Sequence, residues 1–205
     1  MSDGWRAVSL YDAIFARRSL RRYRPEPVSE AVIESVLSAA IYAPSAHNRQ
    51  PWRFVVLRDD ESKIGLARAM GERLRHDLTK DGAPTDVIEA DVARSYDRMT
   101  SAPVLIVICL TMTEMDVYPD SRRAELERVM AVQSTAMAGQ NLLLAAHAHG
   151  LGACWMCAPL FCPDVVTNAL GLPDEWQPQG VITMGYPAQE RTKTRKPLGE
   201  VVLWR

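Results

Sequence analysis

Apolar positions along the chain follow two spacings. A recurrence every three or four residues marks helices, and short continuous runs of β-branched and apolar residues mark buried strands. Ser9 stands before Tyr11, Ile14 and Phe15, which predicts a short capped helix to about Arg18. Pro25 and Pro27 break the chain. Ser29 is positioned to cap a second helix whose Val32, Val36, Leu37 and Ala40 share one face, and Pro44 requires that helix to end before it. "APSAHNRQPW", Ala43–Trp52, is rich in turn formers and side-chain amides and reads as a loop. "RFVVLR", Arg53–Arg58, reads as a buried strand. Lys63–Leu78 has a helical pattern, Asp81–Pro84 a turn, and Asp86–Met99 a weaker helical pattern.

"PVLIVICL", Pro103–Leu110, is a second buried strand, and Thr111–Asp120 is irregular, a candidate mobile flap. A long Ala- and Met-rich helix follows from Ser121 to about His149, stopped by Gly150. Its second half is apolar nearly all round, so it is buried on every side, within the domain or against a second subunit. "LGACWM" predicts a third strand. Pro163 after Cys162 opens a short helix that ends at Gly171. "GVITMGY", Gly180–Tyr186, predicts a fourth strand. After Pro187 the tail is polar, basic in its middle and apolar at its end. Strands and helices alternate without internal repeats, which predicts a layered α+β or α/β fold.

Composition narrows the function classes. The 205 residues suit a single domain spanning 1–205, and 47% hydrophobic with 24% charged residues predicts a folded core. With 24 basic and 25 acidic side chains the net charge is −1, so there is no global attraction to nucleic acid or membrane. Met1–Val8 lacks the apolar run of a signal peptide, and Val104–Leu110 is too short to span a bilayer. Cys109, Cys154, Cys157 and Cys162 read as free thiols in a reducing cytoplasm.

Against that balanced total, "ARRSLRRYR", Ala16–Arg24, holds five arginines in nine positions. One reading is compensation of a helix dipole by Arg17 and Arg18. Another joins them to Lys193, Arg195 and Lys196. If the fold brings the chain's ends together, arginine forks, a lysine and the Ser19 hydroxyl suit a single phosphate. "CWMC", Cys154–Cys157, has C-x-x-C spacing but lies in or just after an apolar strand. Packed thiols, a redox pair and a metal pair all remain open for it. His147 and His149, two apart on a helix, point to different sides and chelate poorly, so no metal site is expected. "GLG", Gly150–Gly152, is not a dinucleotide fingerprint.

The order of these pieces resembles the FMN-dependent nitroreductase family: "ARRSLRRYRPEPVSEAVIESVLSAAIYAPSAHNRQPWRFVVL", a long Ala-rich helix, "GLGACWM", "GVITMGYP" and a late "KTRKP". The resemblance implies an α+β layered fold with a mostly antiparallel central sheet flanked by helices. It also implies a homodimer with FMN at the interface, the helix from about Glu125 to His149 as dimer core, and Val201–Trp204 adding a strand to the partner's sheet. By the same resemblance Arg17, Arg18, Ser19 and Arg21 hold the FMN phosphate and ribityl chain, and Lys193 and Arg195 complete the phosphate clamp. Pro44, Ser45, Asn48 and Gln50 reach the flavin ring across the dimer. Cys154, Trp155, Met156 and Cys157 run along the ring and bond it through backbone groups. "CWMCAPLFCPD" and "APSAHNRQPWRF" are most similar to the branch related to the C-terminal domain of the ligase that makes the deazaflavin coenzyme F-420, in which a dehydro precursor is reduced.

The implied chemistry belongs to the flavin: NADH or NADPH delivers hydride to N5, and a small conjugated or aromatic acceptor receives the electrons. His47 is the one ionisable candidate in the ring-facing loop for proton transfer or substrate orientation. A flavin or deazaflavin carrier or sensor without efficient turnover is the competing class.

Overall fold

The structure, a computed structural model, describes residues 8–205. Met1–Ala7, part of the stretch read as lacking a signal-peptide run, lies outside the described residues. Among the described residues four strands form one sheet in the order β1-β2-β4-β3: β1 (Trp52–Leu57), β2 (Val104–Leu110), β3 (Gly152–Met156) and β4 (Gln177–Gly185). All three pairings are antiparallel, as the resemblance implied. β1 begins at Trp52 and ends at Leu57, one residue earlier than expected at each end. β4 starts at Gln177 rather than Gly180, because Gln177 and Pro178 continue the pairing with β2 past an irregularity between Ile108 and Cys109.

Among the described residues six α-helices accompany the sheet: α1 (Leu10–Ala16), α2 (Glu30–Ile41), α3 (Asp60–Lys80), α4 (Thr85–Thr100), α5 (Ser121–Ala148) and α6 (Pro163–Leu170). β2 alternates between two apolar layers. Val104 and Ile106 face α2 and α5 together with Ile33, Val36, Leu142, Ala146, Ile182 and Met184. Leu105, Val107 and Cys109 face the other layer, with Leu66, Met70, Met99, Val166 and Val181 from α3, α4, α6 and β4. A strand covered on both faces has no polar side, and that is why residues 104–110 read as one continuous apolar run.

Ser9 caps α1, its hydroxyl accepting from the Asp12 N–H at 3.1 Å. Ser29 occupies the cap position of α2 but its side chain makes no capping bond. α3 reaches three residues further toward its start than its apolar pattern marks, because Asp59 caps it by accepting from the Ser62 N–H at 2.7 Å. α6 has Pro163 in its first turn and ends on Gly171 at φ 58°. The expected flap, residues 111–120, is irregular but tied down. Thr111 N–H donates to the Pro51 carbonyl, Asp116 N–H to the buried Glu127 carboxylate at 3.1 Å, and the Asp116 carboxylate pairs with Arg49.

α5 buries one face, which includes Ala131, Ala138, Leu142 and Ala146, while Leu126, Val129 and Met137 are exposed on the other. Val201–Trp204 forms no strand within this chain. Among the described residues, no helix is long and apolar enough to cross a membrane.

Candidate cofactor site

Right after α1 the chain turns onto the outer edge of β3. Ser19 makes a parallel bridge to Ala153, and Leu20 N–H donates to the Ala153 carbonyl at 3.1 Å. The next residues pair with the chain that leaves β4: Arg24 N–H donates to the Tyr186 carbonyl and Ala188 N–H to the Arg22 carbonyl. Tyr23 fastens this segment from below. Its buried hydroxyl lies 2.5 Å from the Leu20 carbonyl, 3.0 Å from the Thr183 carbonyl and 2.7 Å from Thr183 Oγ1. The arginine run is thereby fixed beside β3.

Arg18 shows the dipole-compensating role: its Nη1 donates to the Phe15 and Arg17 carbonyls at the end of α1. That role does not use up the cluster. Arg17 Nη1 and Arg18 Nε are buried and find no hydrogen-bond acceptor among the described residues. Burial, then Arg195 and Arg18, hold the Arg17 pKa below its usual value, so Arg195 from the far end of the chain lies close to Arg17. Burial and the two guanidiniums of Arg17 and Arg18 likewise lower the pKa of His147. An uncompensated buried cation is costly. A multi-oxygen anion such as phosphate satisfies both orphan donors and relieves the mutual repulsion, so these residues fit the phosphate of the implied cofactor. Lys193 lies two residues before Arg195 on the exposed tail and has no ion pair among the described residues.

β3 carries the next part. Cys154 is buried, and its thiol pKa is raised by burial against the opposing pull of Arg21, Arg98, a hydrogen bond with Ser19, and Arg17. Met156 packs into the same layer as Cys109 and Cys162. Trp155 points to the opposite face, where its indole lies between helix and sheet. A Cβ on Gly139 of α5 would collide with its Cζ3, and a Cβ on Gly180 of β4 would lie 2.7 Å from its Nε1. Both glycines are therefore required by the ring. Trp155 Nε1–H donates to Cys157 Sγ at 3.2 Å, and Cys157 is exposed. The side chain of Trp155 is thus a packing element, leaving only its backbone for a cofactor. Among the described residues no group of His, Cys, Asp and Glu is arranged to hold a metal ion.

The loop of Pro44, Ser45, His47, Asn48 and Gln50 sits elsewhere. Ser45 Oγ accepts from the Gln50 N–H at 3.0 Å, Gln50 Nε2 donates to Asn48 Oδ1 at 3.3 Å, and Ala46 N–H donates to Ser134 Oγ of α5 at 3.2 Å. His47, Asn48 and Gln50 have φ of 49°, 54° and 50°. Three non-glycine residues in the left-handed region within four positions is strained backbone, of order 1–3 kcal/mol each. The loop is anchored at Ser134, whereas the arginines act on His147, thirteen residues along α5. At 1.5 Å per residue that is about 20 Å. One chain therefore does not bring the loop and the arginine cluster together.

The nitroreductase family model matches residues 14–186. The chain belongs to the nitroreductase family. A relative from Thermus thermophilus named NADH dehydrogenase is 32% identical over 94% of each chain. A Rhodospirillum rubrum relative named 5,6-dimethylbenzimidazole synthase is 32% identical over 87% of this chain and 82% of its own. The crystal structure of a nitroreductase in complex with FMN from Desulfovibrio desulfuricans superposes with a TM-score of 0.75, at 32% identity over 95% of each chain. Arg98 of α4, outside the residues singled out from the sequence, acts electrostatically on Cys154 together with Arg21 and Arg17.

Proposed function

We propose that this nitroreductase-family protein is an FMN-dependent NAD(P)H oxidoreductase that works as a homodimer on a small conjugated or aromatic acceptor. The observation that carries the reading is the pair of buried, unpartnered donors on Arg17 and Arg18 with Arg195 brought beside them. When bound, FMN supplies a two-electron carrier at its N5 position. Arg17, Arg18, Ser19 and Arg21 bind its phosphate and ribityl chain, and Lys193 and Arg195 close over the phosphate. Backbone groups of Cys154, Trp155, Met156 and Cys157 align the ring along β3. Their N–H groups and the arginines would present hydrogen-bond donors and positive charge to the bound cofactor. Pro44, Ser45, Asn48 and Gln50 of a second copy cover the ring and exclude water, and His47 of that copy orients the acceptor or hands it a proton.

The separation of about 20 Å along α5 between loop and clamp within one chain supports the dimer reading. The exposed apolar side chains of Tyr11, Phe15, Leu126, Val129 and Met137 supply a surface for it. Four free thiols suit a reducing cytoplasm. The acceptor to screen first is the dehydro precursor of the deazaflavin coenzyme F-420.

The test is anaerobic mixing of the FMN-loaded protein with NADH or NADPH, followed at the flavin absorbance band. Bleaching and reoxidation by an added acceptor support an enzyme. A bound flavin that neither reductant bleaches makes the protein a carrier or sensor. Arg17→Ala and Arg195→Ala each weaken FMN binding at least tenfold, the scale of a lost charge-assisted hydrogen bond. Unchanged FMN affinity in both overturns the clamp.

A further inference from the structure

The left-handed backbone at His47, Asn48 and Gln50 persists only where the surroundings over-determine it. Part of that constraint lies within the loop: Asn48 N–H donates to the Ser45 carbonyl and Arg49 N–H to the Ala46 carbonyl, both at 3.0 Å, and Gln50 N–H to Ser45 Oγ. Arg53 of β1 adds a bond from Nη1 to the Gln50 carbonyl at 3.2 Å. Two more ties lead to α5. Ala46 N–H reaches Ser134 Oγ directly. The Arg49 guanidinium pairs with the Asp116 carboxylate, and Asp116 N–H in turn donates to Glu127 Oε1 at 3.1 Å. Glu127 and Ser134 are both buried, seven residues apart on one face of α5, which is about 10 Å along its axis.

We propose that Glu127 is a positioning residue: acting through Asp116 and Arg49, it holds loop 45–50 in its strained form, ready to meet the flavin ring of a second copy. The hold on the loop stands on these bonds alone, and its use at the ring rests on the FMN reading. Glu127 Oε2 is buried with no hydrogen-bond partner among the described residues. A buried carboxylate with an orphan oxygen lowers fold stability, and leucine, of similar size, carries no such desolvation cost. Core packing therefore gains nothing from a charge at position 127. Segment 111–120 does gain, because a carboxylate takes a backbone N–H roughly twice as strongly as a neutral amide oxygen does. Without that acceptor the Asp116 N–H turns to water, Arg49 loses its fixed partner, and only Ser134 and Arg53 still tie the loop to the rest of the fold against its strain.

The test is hydrogen–deuterium exchange of the backbone amides in the full chain. In Glu127→Leu the amides of Ala46, Asn48, Arg49 and Gln50 should exchange roughly tenfold faster or more, the scale of one lost charge-assisted bond. The amides of Val104–Leu110 should stay as slow as in the parent, and the urea midpoint should be unchanged or higher. Glu127→Gln, which keeps an uncharged acceptor for the Asp116 N–H, should fall between parent and Glu127→Leu. Arg49→Gln should speed the same loop amides, and combined with Glu127→Leu it should add less than its separate effect, since both act through Asp116. Unchanged loop exchange in Glu127→Leu overturns the proposal. So does a lower urea midpoint with faster exchange across β2, which marks a merely structural residue, and so do fully independent effects in the double variant. If Glu127→Leu does not fold, Glu127→Gln decides: faster loop exchange at parent stability supports the proposal, and parent exchange overturns it. Release of FMN from the loaded protein separates the two readings. Release roughly threefold faster in Glu127→Leu supports the use of the loop at the ring. Faster loop exchange with unchanged FMN release supports the hold by Glu127 and contradicts the placement of the loop on the flavin instead.

Discussion

Trp155 links α5 to β3, and adding one methyl group at Gly139 tests that link. In Gly139→Ala the new Cβ meets Cζ3 of the indole and lies 2.7 Å from Cε3. Carbon atoms rest at about 3.5 Å, so the ring must retreat by about 0.8 Å or more. It has nowhere to go, because its other edge lies against Gly180. Overpacking of this kind costs about 3 kcal/mol at its upper end. Alanine returns about 1 kcal/mol of helix propensity inside α5. The net loss is about 2 kcal/mol, or roughly 4–8 °C in Tm for a chain of this size. The assay is thermal and urea unfolding at one fixed protein concentration, since self-association of the proposed kind would make apparent stability concentration-dependent. Trp155→Leu supplies the control: in that background Gly139→Ala should be neutral or stabilising. Equal losses in both backgrounds, or no loss in either, would refute the packing argument.

Three further outcomes are expected. Tyr23→Phe removes a buried hydroxyl that serves Leu20 and Thr183, and should cost about 1–3 kcal/mol and loosen the Arg21 segment, seen as a lower Tm and weaker FMN retention. His147 has a lowered pKa in the folded protein, so the unfolded chain takes up its proton first. Stability should therefore be flat above about pH 7.5 and fall as pH drops through about 6.5, a slope that His147→Gln reduces. Because Arg17 and Arg18 contribute to that lowering, FMN phosphate should move the His147 NMR titration upward, and a further fall would count against the clamp. In native protein at pH 8, iodoacetamide should modify one thiol quickly, that of exposed Cys157. Cys109, whose pKa is pushed up to about 12 by burial, Cys154 and Cys162 should react only in denaturant, and a second fast equivalent would contradict the packing.

Much of the fold was legible because burial leaves a pattern. The run at Val104–Leu110 could only be a strand covered on both faces, and Pro163 with Gly171 framed α6. What one residue type cannot signal stayed hidden. The start of α3 lies in "DDES", whose cap is a polar side chain outside the apolar periodicity, and the first residues of β4 are Gln and Pro, poor strand formers held by pairing with β2. The proposed clamp was legible only as two separate basic runs, and their meeting depends on the bridges of Ser19 to Ala153 and Tyr23 to Pro187. The role expected of Trp155 was a backbone one, and what the sequence did not show is where its side chain goes: it packs against Gly139 and Gly180, a contact between positions distant in sequence. Arg94 and Arg98 of α4 fall in a stretch that shows only a weak helical pattern in the sequence.

The most direct test is the visible spectrum of the freshly purified protein, with identification of what heat releases. Flavin bands with FMN in the supernatant are the predicted result. A colourless protein that also fails to take up added FMN would contradict the account, and the buried donors of Arg17 and Arg18 would then require a different anion.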